Sequence, residues 1–541
     1  MSPRRWLVRD LVTVTLLALT ARIAAAALVD YAPYTDPAYY TLVAERLATG
    51  HGFSVPVIWS FLEVGGRLPN PAVLPVPSNG HWMPLTSIVA AGFMDLFGVS
   101  WRAGQIPMVV LSAALVPFIY LVAWDLWRSR WIAVLSAVLA IFSGPLLVYY
   151  PTIDNFAVFG VAGAGAIYAS IQSVRSARFG LWLILAGAFA GLATLARVDG
   201  LLLVVAPATA WIVRVRARHE GRRLTAGAAL TWGVGSAVAF GLVLAPWLIR
   251  DIGLYGSPFP SAGGHTLWIT SYNEQFTIGQ PVDLAHYLAW GPGNIIGSKL
   301  QSWFDLLGRT AVLLGGIFFF TFIPGLWIHR RRPELVPFIA YWLVMFFVMG
   351  AVFTFHAPHG AFYHSAPAWL PFAIPMALAS IAPVAGAIGR LWPFLKRPQT
   401  HRFLGAVGTL GAVALSLIGS SVIYGQWDRS HRLDMQAAAW FLANGHTSDV
   451  VMYGDPATLA LLSGNPGVAA PFDPYPVIKQ VVDAYHVRWV VVQLDPGART
   501  DALNLWQGSA GVDAAGDHAT WLAARPAFEV PGGLRIYAVA E

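Results

Sequence analysis

"PLTSIVAAGFMDLFG", Pro84–Gly98, is the stretch on which the architecture turns. It is apolar, yet as a helix it would rise only about 22 Å, short of the roughly 30 Å hydrocarbon core of a bilayer. Around it lie longer apolar runs: Leu11–Leu28, then 103–127, 131–150, 155–174, 179–197, 200–215, 226–249, 310–328, 334–355, 366–389 and 402–424. Each approaches the ~20 residues a spanning helix needs. Basic clusters separate them, at Arg4/Arg5/Arg9, Arg128/Arg130, Arg175/Arg178, Arg214–Arg223, Arg330–Arg332 and Arg390–Arg402. If Pro84–Gly98 lies in the interface, all these clusters share one side, as the cytoplasmic bias of Lys and Arg requires. If it crosses, the N-terminal cluster is stranded opposite the rest. The reading is an α-helical polytopic membrane protein of about eleven transmembrane helices, with an inside N-terminus and 84–98 as an interfacial helix.

Composition agrees. Only 11% of the 541 residues are charged, against about a quarter in a soluble domain. The 23 Trp, 30 Phe and 18 Tyr suit rings that settle at bilayer interfaces. With no cysteine, disulfides, thiol catalysis and Cys-ligated metal centres are excluded. The net charge of +7 resides in short loops and reads as topology, not as a nucleic-acid surface. The first run ends in "ARIAAAALVD", which offers small residues for cleavage, but its length favours an uncleaved span.

This topology places 29–102, 149–156, 250–309 and 355–367 outside. The inner loops carry no acid–base constellation, so chemistry belongs to the outer face. From about Asp428 the pattern changes. "LDMQAAAWFLANG" reads as an amphipathic helix, "DVVMYG", "VRWVVVQLD" and "GGLRIYAVAE" as strands, and "VIKQVVDAYH" as a helix. The expectation is a membrane domain, 1–427, followed by a small extracytoplasmic α/β domain, 428–541.

Candidate residues come from the outer segments. Asp36, before Pro37, has the pattern of a helix N-cap. With Asp30 six positions earlier, in an aromatic setting with Tyr34 and Tyr39, it is also placed to act as a general base. Asp154 in "YYPTIDNF" is again an N-cap by pattern, and would face the first outer loop, where two carboxylates orient a hydroxyl or share a divalent ion. Arg197/Asp199 and Arg250/Asp251 read as ion pairs at the outer edge or as functional charges. His81, Lys299, Arg309, His356, His359 and His364 are outward cationic groups. The cluster "HAPHGAFYH" suits an anion better than zinc.

Those segments together carry a resemblance. An acid after the first span, then "HWMPL", "DLFGVSWRAGQIPMVV", "YYPTIDNFAVFG", "GLATLARVDGLLL" and "APWLIRDIGLYGSPFP" resemble the GT-C integral-membrane glycosyltransferases, in the protein O-mannosyltransferase-like and lipid A aminoarabinose transferase-like branch, over about residues 6–425. The resemblance implies inverting transfer of a sugar from a polyprenyl-phosphate carrier to an acceptor hydroxyl on a protein, lipid or glycan. It puts Asp36 in the place of the catalytic acid and Asp154 in that of the second-loop acid. His81 stands where many relatives carry a phosphate-binding Lys. That departure shifts the phosphate toward Arg250 or His359, and Tyr34, Tyr39, Asp30, Arg197, Asp199 and His364 complete the expected substrate site. No cofactor is implied beyond a divalent metal as an option, and no nucleic acid. The expected location is the plasma (inner) membrane with the site extracytoplasmic. The rival class is a flippase of a lipid-linked saccharide, but transporters place polar residues at mid-span, and these spans are nearly uncharged.

Overall fold

The computed structural model describes residues 3–216, 224–260, 265–494 and 519–540. Residues 217–223 of the expected basic cluster and 495–518 of the expected C-terminal domain lie outside the described residues. Among the described residues, nine helices are long and apolar enough to cross a bilayer, and they coincide with nine of the eleven expected crossings. The segment in question forms the short helix Leu85–Phe97, packed on Thr35–Ala48 and Trp101–Trp127.

The other two expected crossings, 131–150 and 310–328, are broken. Arg130–Ile141 stops at Ser143-Gly144-Pro145, and a single turn follows at Leu146–Tyr149. Pro292–Leu313 stops before Gly315 and Gly316, at φ 65° and 76°, and the chain resumes as Phe319–Ile328. These glycines take a left-handed backbone that other residues resist. The two breaks pack on each other, since a Cβ on Gly144 would meet the Val312 carbonyl oxygen at 3.0 Å.

A break at membrane depth frees carbonyls that need donors. Arg22, fully buried on the first helix, donates to Ala140 O at 3.2 Å and Ile141 O at 3.0 Å, with its guanidinium 4.6 Å from the Tyr150 ring. Ser416 donates to Gly144 O at 2.8 Å. Arg22→Lys keeps the charge but replaces a planar fork by one ammonium. It is expected to cost about 1–3 kcal/mol, read as a lower unfolding midpoint in detergent; an unchanged midpoint would show that the fork is not what seals the break.

The two ends of the bundle differ in chemistry. At one, Arg130 makes a two-pronged ion pair with Asp10, 2.6 and 2.9 Å. There too, Asp125 collects Arg128, Arg175 and Gln172, and Arg332 donates to Leu126 O at 2.9 Å. Basic clusters that are far apart in sequence thus gather on one side. At the other end, the segments carrying Asp36, Asp154, Arg197 and the 356–364 histidines converge.

The boundary expected at 428 falls inside one continuous helix, Pro398–Ala443. At 1.5 Å per residue it is about 69 Å long, more than twice the hydrocarbon core. Its first part faces lipid, while Leu433, Ala437 and Phe441 near its end pack beneath a sheet against Val451, Val491 and Ile536. The amphipathic pattern changed because the helix changes partner, not because it ends. The strands are β1 (Ser54–Val55), β2 (Val57–Ile58), β3 (Val76–Pro77), β4 (Val450–Met452), β5 (Gly467–Val468), β6 (Val487–Gln493), β7 (Phe528–Val530) and β8 (Leu534–Ala538). β1 and β3 form a hairpin-like pair, and the larger sheet has the order β2-β5-β4-β6-β8-β7. Its edge strand β2 comes from the segment between the first span and Leu85–Phe97 and pairs in parallel with β5, so the C-terminal sheet is completed by the N-terminal part of the chain.

Candidate active site

Thr35–Ala48 begins at an extended Tyr34 whose side chain makes no cap bond. Asp36 therefore lies within the first helical turn, not at the N-cap position its pattern suggested, and its carboxyl faces a cavity. Asp154 does cap its helix, accepting from the Asn155 N–H at 2.5 Å. Its other oxygen accepts the Tyr34 hydroxyl at 2.6 Å. The two carboxyls differ in access: Asp36 keeps 24% of its side-chain surface open and Asp154 none. Asp36 opens to the cavity, and Asp154 lies sealed behind it.

His364 joins them from the opposite wall. It does not sit in the Pro/Gly loop suggested by its sequence context but on the helix Phe362–Ala379, which starts after Gly360 (φ 134°). Its ring stacks on Phe156 at 4.0 Å. Asn155 spends its amide NH₂ on Tyr40 Oη (3.1 Å) and so presents Oδ1 to His364 Nδ1 at 2.8 Å. Nδ1 then carries the proton, and Nε2 is left bare 3.9 Å from Asp36 Oδ2. One donor atom from each of Asp36, Asp154 and His364 lies within 4.8 Å of the others. Two carboxyls and a bare imidazole nitrogen, oriented by an outer amide, form a donor set that fits a divalent cation.

Burial, and next the charge of Asp36, push the Asp154 carboxyl up to about 8. A cation here would relieve that crowding. In the metal-free protein this carboxyl should therefore contribute a loss of stability as pH rises from about 4 to about 8, because the unfolded chain releases a proton that the folded one retains, and no further change above. Asp154→Asn should remove that contribution, so that wild type loses stability relative to the variant across this range. Thermal unfolding at several pH values checks this, and equal slopes in both proteins would refute it.

The cavity has an aromatic wall and one guanidinium at its edge. Trp59, Trp82, Tyr40 and Tyr272 border it, with Trp59 and Trp82 ring centroids 4.6 Å apart. Behind Trp59 lies Glu63, buried, with its carboxyl raised to about 8 by that burial and accepting the Trp59 N–H at 3.3 Å. Arg197 caps Phe179–Ala196, its N–H reaching Ala193 O. Its Nε donates to Asp199 at 2.7 Å, and the Ser365 hydroxyl donates to the other Asp199 oxygen. The guanidinium is thus held at the cavity edge.

The remaining expectations sort by position. His81, His359 and His364 border the cavity, as do His356, read in the sequence only as part of the anion-suited cluster, and Gln275, which carries no sequence signal. His81 is pushed down to about 3 and His356 to about 4, in both cases first by burial, so both are neutral at physiological pH. His359 donates from Nδ1 to Phe355 O at 2.7 Å and stacks on Tyr272 at 3.9 Å. Arg250 is elsewhere. It lies inside the helix Ala226–Tyr255, bonded to Asp251 and to Ser78 O, with the Trp247 ring 4.3 Å away. It braces the β1–β3 pair and does not border the cavity. Tyr39 is buried behind the wall, accepting the Asn79 N–H. Asp30 is exposed beyond the first helix. Lys299 caps Val336–Ala351 through Ala351 O, and Arg309 covers the Tyr363 ring.

Residues 78–249 match the family model "Dolichyl-phosphate-mannose-protein mannosyltransferase". No curated protein sequence matches significantly. Among solved structures, the chain is similar to ArnT from Cupriavidus metallidurans bound to undecaprenyl phosphate, at 13% identity over 97% of each chain and a TM-score of 0.53. It is also similar to the oligosaccharyltransferase AglB from the archaeon Archaeoglobus fulgidus, in complex with an inhibitory peptide and a dolichol-phosphate. There the identity is 12%, over 91% of this chain and 70% of that one, with a TM-score of 0.56. A second structure of an Archaeoglobus fulgidus oligosaccharyltransferase, in complex with Zn and sulfate, is 14% identical over 90% and 68%, with a TM-score of 0.54. The chain has the GT-C fold.

Proposed function

We propose that this chain, carrying the GT-C fold and a match to a mannosyltransferase family from the end of its first outer loop through the spans that follow, is an inverting glycosyltransferase. It moves one sugar from a polyprenyl phosphate to an acceptor hydroxyl, on the extracytoplasmic face of the plasma membrane. The observation that carries the reading is the convergence of an open carboxyl, Asp36, and a fixed guanidinium, Arg197, on one aromatic-walled cavity.

Asp36 takes the proton of the acceptor hydroxyl as that oxygen attacks the anomeric carbon. The bond from that carbon to the phosphate oxygen breaks, and the departing polyprenyl phosphate keeps the electron pair. Arg197 stabilises the charge that develops there. Attack from the face opposite the leaving group inverts the centre. The aromatic wall offers flat apolar faces to a sugar ring, and the cavity, about 170 Å³, suits a single ring better than a long saccharide. Asp36, Asp154 and His364 are the residues that would hold a divalent metal, whose charge would help to bind the phosphate.

The test is transfer from undecaprenyl-phosphate-linked sugars to peptide, lipid and glycan acceptors in proteoliposomes, with and without chelator. Formation of a new glycosidic bond of inverted configuration is expected. Transbilayer movement of the lipid without a new bond would replace this reading with the flippase.

A further inference from the structure

Trp59, Tyr272 and Gln275 form one side of the cavity, but the loops that carry them have little structure of their own. Trp59 follows the two-residue strand β2, and Tyr272–Phe276 is an isolated 3₁₀ turn. Neither holds a fixed geometry without outside support. Both are gripped by a single segment of the C-terminal layer, 467–473. Gly467 N–H donates to Pro56 O at 3.1 Å and Ala469 N–H to Ile58 O at 2.7 Å, flanking β2. Three residues on, Phe472 N–H donates to Phe276 O at 3.2 Å. Asp473 then closes the grip: its carboxylate accepts from Thr277 Oγ1 at 2.5 Å, Ile278 N–H at 2.7 Å and Gly279 N–H at 3.2 Å.

Asp473 and Thr277 are 2% and 1% exposed. A buried carboxylate is costly unless it is hydrogen-bonded, and here three donors come from one turn. The approach is close: a Cβ on Gly279 would lie 3.1 Å from Asp473 Oδ1. The two gripped loops are also braced to each other, by the Ser60 hydroxyl on Gln275 O and by the Trp59 and Phe276 rings, 5.1 Å apart.

We propose that Asp473 is a positioning residue that sets the aromatic wall of the cavity, so that the C-terminal α/β layer governs recognition of the sugar without a binding site of its own. The claim about sugar rests on the transferase reading; the claim about the wall does not. Arg197 and Asp36 are held by other elements, so loosening the grip should affect the sugar while sparing the carrier phosphate.

The experiment compares full-length wild type, Asp473→Ala, Asp473→Asn and Thr277→Val. Hydrogen exchange of the 276–279 amides in the apo protein should rise about 10- to 100-fold in Asp473→Ala. The KM for undecaprenyl-phosphate-mannose should rise by a similar factor, while binding of bare undecaprenyl phosphate stays within about twofold. Asp473→Asn, which retains an acceptor oxygen, should recover most of both, and Thr277→Val should fall between. If Asp473→Ala does not fold, the Asn and Val variants carry the same readouts. Unchanged exchange at 276–279 overturns the anchoring. Raised exchange with an unaltered sugar KM, or an equal loss of bare-carrier binding, overturns the role in sugar recognition. Absence of transfer by wild type refutes the enzymatic reading and leaves the exchange result to decide the anchoring by itself.

Discussion

Asp36→Asn is expected to lower turnover of sugar transfer by about a hundred- to ten-thousand-fold, the range associated with loss of a general base. The substitution keeps the size of the side chain and removes its capacity to take a proton. Folding should survive it, because Asp36 keeps 24% of its side-chain surface open and its charge crowds Asp154. Removing that charge withdraws the second-largest influence holding the Asp154 carboxyl up, so the loss of stability that Asp154 contributes above about pH 4 should end at a lower pH. Single-turnover transfer with saturating donor measures the chemical step directly. A variant that melts like wild type and transfers at more than a tenth of its rate would show that the proton goes elsewhere, His364 Nε2 being the nearest alternative.

The expected loss is assigned to Asp36 and not to Asp154 on grounds invisible in sequence. Both acids lie just outside a span and both have the N-cap pattern. Only the fold shows that Asp154 uses one oxygen on its own helix and the other on Tyr34, whereas Asp36 opens to the cavity. Topology was more legible, since charge placement and apolar length are local quantities. The short helix at 85–97 and the gathering of basic clusters at one end follow from them. The two broken crossings were marked by Gly144-Pro145 and Gly315-Gly316, but the donor that seals one of them, Arg22, lies more than a hundred residues away. The same separation hid β2. Two residues of a loop, Val57–Ile58, carry no strand signal until β5 arrives to pair with them. Tyr272 and Gln275 belong to "YNEQF", which has no motif, and their turn is held at the cavity by contacts remote in sequence, among them those with Ser60, His359 and 472–473. Arg250 shows the opposite error. A cation in an outer segment was read as a phosphate ligand when backbone carbonyls had already engaged it.

With Arg250 engaged elsewhere and His81 and His356 held neutral, the charge of a departing phosphate falls to Arg197, the permanent cation among the described residues that border the cavity. Arg197→Gln is expected to reduce kcat/KM by about a hundred- to a thousand-fold. The loss should divide unevenly. Negative charge on the bridging oxygen grows as the bond to the sugar breaks, so kcat should fall further than KM rises. Arg197→Lys should recover part of the binding but little of the turnover. An ammonium lacks the fork that lets one nitrogen hold Asp199 while the rest of the guanidinium turns to the cavity. The Asp199–Ser365 contact gives an internal check: Ser365→Ala loosens the carboxylate that aims Arg197 without touching substrate, and should cost about tenfold or less. Steady-state kinetics with undecaprenyl-phosphate-mannose separates these outcomes. If Arg197→Gln raises KM alone, the guanidinium binds donor and transition state equally and the leaving group is stabilised elsewhere. The carboxyl–imidazole cluster of Asp36, Asp154 and His364, loaded with a divalent ion, would then be the group to test, by asking whether chelator abolishes the turnover that remains.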